Sequence, residues 1–215
     1  MAGTRTLATM RARIASEIRR STINAQIDLA IMDAIDVHNS DRFWFNESRD
    51  VVFWTTAMKE FYTATDVPSL GTLMKIDFVF LYVGNTPFEL RQSPQIRLES
   101  ASQNGTMSGQ PGEFGWYDET LRLYPIPTDI WKVRAGVVEN RPAPASDTEI
   151  DNVWMNEAER LIRSRAKLEL ALHVIYDSAL EQRMQSAIAD AFANLKTLTT
   201  RKTKTRKSRV DAMGF

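Results

Sequence analysis

The sequence predicts an α+β protein: a four-helix bundle formed from both chain ends, an inserted antiparallel β-domain, and an extended C-terminal tail. Three observations lead there. Apolar residues recur at helical spacing over residues 7–35 and again over residues 154–198. Between them, β-branched and aromatic residues cluster around Gly84-Asn85, a pair suited to a two-residue hairpin turn. After residue 200 the apolar stripe gives way to a run of cations.

Thr6 is the expected cap of the first helix, in which Leu7, Met10, Ile14 and Ile18 share a face. Asn24 is the expected cap of the second, striped by Ile27, Ala30, Ile31, Ala34 and Ile35. The connection "RRSTIN" is short enough to fold the two back as an antiparallel pair. The period then changes. "RDVVFWTTA" and "TLMKIDFVFLYV" read as strands, with "TPFELR" returning after the Gly84-Asn85 turn. The polar stretch "SASQNGTMSGQPG" separates this hairpin from a second group of three short antiparallel strands, "EFGWY", "TLRLYP" and "IWKVRAGVVE". Asp118-Glu119 and the segment from Pro125 to Asp129 mark the turns, giving about five strands in all.

Two prolines make "NRPAPASDTEIDN" a linker. Helical spacing returns with Ala158, Leu161, Ile162, Leu168, Leu172 and Ile175, and a last helix is expected to start at Ser178 with Glu181 completing a capping box. Residues 1–45 and 152–200 are therefore assigned to the helical bundle, 46–151 to the β-domain with its linker, and 201–215 to the tail.

The chain has 27 basic and 27 acidic side chains, unevenly placed. Residues 199–215 hold six Lys/Arg and one Asp, a charge of +5, which leaves −5 on the rest. That is a basic arm on a mildly acidic body, without bulk affinity for nucleic acid. With no cysteine, disulfides and thiolate metal sites are excluded. The N-terminus has no uninterrupted apolar stretch that would make a signal peptide, and "IDFVFLYVG" is too short to cross a bilayer, so the expectation is a soluble protein made in the cytoplasm.

Signals for catalysis are sparse. His38 and His173 stand alone near helix ends and read as structural imidazoles. "SGQPGEFG" lacks the spacing of a phosphate-binding loop. Asp28 and Asp36 fall on the solvated side of their helix, so a carboxylate hydrolase is the weakest reading. No cofactor or metal is expected. Arg165 and Glu169, four residues apart on the apolar face, read as an ion pair inside the bundle or at its edge, or as a contact to another subunit. Phe43, Trp44 and Phe45 are consecutive, so no single face buries all three. Core packing is the first reading, with one ring under the bundle and another at the β-insert, and a subunit contact is the second.

Taken in order, "TLATMRARIASEI", "INAQIDLAIMDAID", "RFWFNE", "LRLYPIP" and "EAERLIRSRAKLELALHVI" resemble the head-to-tail adaptor (connector or tail-completion) proteins of tailed bacteriophages, over roughly Leu7 to Tyr176. The resemblance implies a non-enzymatic virion component. Such proteins form a homo-oligomeric ring, commonly of twelve copies, below the portal protein, where it extends the DNA exit channel and carries the tail or nozzle. DNA would pass through without sequence-specific binding, and no membrane is involved. Their C-terminal segment often engages portal subunits.

The basic end has three readings: a solvated helix end, a DNA-binding arm, or a strap on a partner. In the strap reading Arg201, Lys202, Lys204, Arg206, Lys207 and Arg209 pair with acidic grooves of the portal, while Val210, Met213 and Phe215 anchor the end. A DNA-binding protein acting through the basic arm is the alternative function.

Overall fold

The structure, a computed structural model, describes residues 5–103 and 107–203. The first half of the described chain runs α1 (Leu7–Ile18), α2 (Asn24–Asn39), β1 (Glu47–Trp54), β2 (Phe61–Tyr62), β3 (Leu73–Val83), β4 (Thr86–Gln92) and α3 (Gln95–Gln103). It continues with β5 (Ser108–Gly109), β6 (Glu113–Tyr117), β7 (Thr120–Tyr124), β8 (Ile126–Pro127), β9 (Lys132–Glu139), α4 (Val153–Asn156), α5 (Glu159–Leu170) and α6 (Ser178–Thr203). Two compact units result, Met1–Phe45 with Arg141–Phe215, and Asn46–Asn140.

This corrects the expected fold class. In place of a four-helix bundle with an inserted antiparallel β-domain, the described residues form six α-helices and a large curled mixed sheet of seven strands. The sheet order is β1-β9-β3-β4-β6-β7-β2. Two physical causes enlarge it. Strand β9, expected beside β7, instead inserts between β1 and β3, where Val133, Ala135 and Val137 join the buried face. Strands β4 and β6 pair in parallel, through Arg91↔Glu113 and Gln92↔Phe114, and join what would be two hairpin groups into one sheet. A parallel pair needs a crossover. Helix α3 supplies it, in a stretch expected to be a polar separator, and Leu98 is its buried anchor. Strands β5 and β8 form a separate parallel pair inside segments read as loop and turn.

The expected hairpin is present. Val83 pairs with Thr86, and Gly84 takes φ 60°, a value that side-chain-bearing residues adopt only at a cost. Asp118 and Glu119 make the β6–β7 turn with φ 46° and 55°.

In the helical unit, residues from both chain ends share one core that includes Ile14, Ile31, Ile35, Phe43, Trp154, Leu161 and Ile162, all fully buried. Fully burying each such side chain is worth roughly 1.5–3 kcal/mol relative to exposure. The arrangement centres on α5, where no residue from Leu161 to Leu170 is exposed, and α1, α2 and α6 each pack on it. In α6 the buried residues are Ala191, Leu195 and Thr199, so only its second half reaches the core fully.

Local signals explain the boundaries. Thr6 caps α1 as expected, in a capping box with Thr9. Asn24 does not cap α2: it lies in the first turn, and Ile23 holds the cap position without a side-chain bond. A π-helical turn, Ala171–Ile175, widens the end of α5, and Tyr176 leaves it at φ 58°. The Asp177 carboxylate, one residue before Ser178, accepts the Leu180 N–H at 2.9 Å and opens α6. The expected linker is tied down. Asn39 exchanges hydrogen bonds with the Arg141 backbone at 2.9 and 3.2 Å, and the Arg141 carbonyl accepts from Trp154 Nε1 at 2.9 Å.

Candidate functional site

Of the residues singled out from the sequence, Phe43, Trp44 and Lys202 meet at the end of α6. Helix formation continues through Arg201 and Lys202 to Thr203, so the first cations of the expected tail belong to the helix. Lys204, Arg206, Lys207, Arg209, Val210, Met213 and Phe215 lie outside the described residues.

The last turns of α6 are fastened to the Phe43-Trp44-Phe45 segment. Thr199 Oγ1 accepts the Trp44 N–H at 3.2 Å, and Lys196 Nζ donates to the Arg42 carbonyl at 3.0 Å. The same ammonium stands 5.1 Å from the Phe43 ring centre and 4.9 Å from that of Phe192. Beyond Thr199, Lys202 Nζ caps the Trp44 ring at 3.1 Å. Phe43 and Phe45 stack at 5.3 Å, and both meet Trp154 edge-on. All three rings of the triplet therefore serve the helical core, Trp44 as a partly buried rim, and the expected division with the β-part is not what they do. Trp44 Nε1 is buried and has no hydrogen-bond partner among the described residues.

His38 belongs to the same corner, buried against Phe192, with Nδ1 2.8 Å from Asp41. His173 is exposed, 3.5 Å from Glu169. Arg165 and Glu169 form their ion pair at 2.7 Å, partly buried at the edge of the helical core, whereas Leu172, expected on the buried stripe, is exposed. Asp28 pairs with Arg11 at 2.5 Å, Asp147 holds the same guanidinium at 2.6 Å, and the Arg11 hydrogen bond keeps the Asp147 carboxyl below its usual range. Asp36 is exposed.

A second charged cluster joins α1 to α5. Glu17 receives Lys167 at 2.7 Å and Arg163 at 3.0 Å, while Glu159 receives Arg13 at 3.2 Å. Partial burial works against the charged form of Glu17. The Lys167 hydrogen bond and the charges of Lys167, Arg163 and Arg13 more than offset it and lower its pKa. In the β-unit, Arg122 is 3% exposed and bonds Glu60 at 2.5 Å, Glu99 at 2.7 Å and Ser102 at 2.6 Å.

Among the described residues no group of three or more His, Cys, Asp or Glu could hold a metal ion, and no helix is long and apolar enough to cross a membrane. Comparison with protein-family models and with curated proteins finds no match for this chain.

Sequence reading missed the outward face of the sheet, where Phe78, Phe80 and Tyr82 alternate with buried Val79 and Leu81. The signal was available in "FVFLYV": every second residue is aromatic.

Proposed function

We propose that this protein is a head-to-tail adaptor of a tailed bacteriophage, a structural ring component of twelve copies at the vertex where DNA leaves the capsid. Its partners are the portal protein, the tail or nozzle and further copies of itself. The resemblance of five segments in order supports the reading. The observation that carries it is the anchoring of α6. Phe43 and Trp44 hold its last turns through Lys196, Thr199 and Lys202, so the part of the helix that carries the first cations is fixed to the core. A strap that starts from a fixed root loses less entropy on docking than one on a frayed end. Repetition around a ring then makes individually weak straps strong together.

The test removes residues 201–215 and measures co-sedimentation with portal particles. Lys196 and Thr199 remain, so the truncated protein is expected to melt close to the full chain and to fail to dock. Normal docking by the truncated protein rejects the strap. Tight duplex binding by the isolated full chain, with log affinity falling against log salt at a slope near −5, would identify a DNA-binding arm instead.

A further inference from the structure

The outward face of strands β1, β9, β3 and β4 carries aromatic rings and cations in cross-strand rows. Val79 and Leu81 point into the core, so Phe78, Phe80 and Tyr82 point away from it. Strand register sets Tyr82 opposite Lys132, and Lys132 opposite Trp54. The next row sets Phe80 between Arg134 and Glu89, and Arg134 opposite Val52. Lys132 Nζ lies 5.5 Å from the Tyr82 ring centre, and the Arg134 guanidinium 5.7 Å from that of Phe80. Phe78 extends the rings, 5.3 Å from Phe80, and lies close over Gly136, where an added Cβ would fall 2.2 Å from its ring. Beside it a cleft of about 430 Å³, lined by Phe78 and Arg91 and also by Asp77 and Glu89, opens where β3 and β4 part. Trp54 is 61% exposed.

The charge on this face is unusual for its unit. Residues 46–140 hold eight Lys/Arg and twelve Asp/Glu, a net charge of −4. Lys59, Lys75, Arg97 and Arg122 each have a carboxylate partner. Among the described residues Arg49, Arg91, Lys132 and Arg134 have none, and Arg134 Nε is buried without a hydrogen-bond partner. Three of these four cations therefore gather where the rings are, against the single carboxylate of Glu89 in their rows.

We propose that this face binds single-stranded nucleic acid. A duplex hides its base faces, so it would leave Trp54 and Tyr82 unused. An apolar protein surface would bury Lys132 and Arg134 without counter-charge, and an acidic peptide supplies the anions but no flat π-surface. A single strand brings both, phosphates to the cations and base faces to the rings. This inference does not rest on the adaptor reading, which portal docking tests separately.

The experiment uses the full chain and a fluorescein-labelled oligothymidine of roughly twenty nucleotides, followed by anisotropy. Trp54→Ala is expected to weaken binding about tenfold, and Trp54→Phe to retain it. Tyr82→Leu, which keeps apolar bulk without the ring, gives a second reading should Trp54→Ala fail to fold. The pair Lys132→Gln and Arg134→Gln is expected to flatten the slope of log affinity against log salt by about 1.4, about 0.7 for each phosphate no longer neutralised. Absence of binding by the wild type overturns the proposal. So does binding that these substitutions leave unchanged and that disappears only on removal of residues 201–215. So does competition by polyglutamate as strong as by oligothymidine, with Trp54→Ala without effect, which assigns the face to an acidic protein partner.

Discussion

Arg122 shows how one side chain organises a region. Its guanidinium, 3% exposed, holds Glu60, Glu99 and Ser102 and lies 5.2 Å from the Phe61 ring centre, joining β7, α3 and the segment before β2. Removing one member of such a group strands the others. Arg122→Ala is therefore expected to cost about 3 kcal/mol in a urea titration followed by near-ultraviolet circular dichroism, and adding Glu60→Gln to restore part of it. An unchanged titration for the single substitution would mean that Glu60 relaxes into water. Nothing in the sequence marks Arg122, because Glu60 is 62 positions away and only strand pairing brings them together. His38 was easier to place: a lone imidazole near a helix end has few roles, and it bonds Asp41 three residues on. The aromatic triplet lay between these cases. Its importance followed from composition, but the stacking of Phe43 on Phe45 and the grip of Trp44 on Lys202 depend on a helix some 150 residues later.

At the scale of elements, helices were legible and strand neighbours were not. Helical periodicity is a local property: the stripe of α2 is buried throughout and those of α1 and α5 in most positions, while Leu172, past the end of α5, is exposed. Strand partners are chosen by burial across the sheet, so the run "IWKVRAGVVE" gave β9 but not its position between β1 and β3. Helix α3 escaped because its stripe is faint: Leu98 is fully buried while Ile96 is 76% exposed. The α1–α5 junction yields a pH prediction. Glu17 has a lowered pKa when folded, so its stabilising effect is fully present above the ordinary glutamate value of about 4.3 and is lost as pH falls below it. Glu17→Gln is expected to cost about 1 kcal/mol at neutral pH, a modest figure because the site is partly solvated. Melting temperatures of variant and wild type should then converge as pH drops toward roughly 3. A gap that stays constant with pH would assign the loss to packing.

At the scale of the whole molecule, each unit has its own core, and the ends of the β-unit are joined by its own sheet. Glu47 pairs with Val138, and the Asn46 carbonyl accepts the Glu139 N–H at 2.8 Å. Residues 46–140 made alone are therefore expected to unfold cooperatively with the sheet intact, which near-ultraviolet dichroism and a urea titration would show; a non-cooperative transition would mean that the β-core needs the helices. The helical unit offers no such independence to its first part, because Ile14 and Ile31 share a core with Trp154 and Leu161. The order of synthesis then matters. The sheet is complete once residue 140 has cleared the ribosome, whereas α1 and α2, finished at Asn39, wait for α5 and the second half of α6, a delay of roughly 8–32 s at about 5–20 residues per second. During that interval two newborn amphipathic helices keep their greasy sides uncovered, and a chaperone that captures nascent chains would find its target there rather than on the strands.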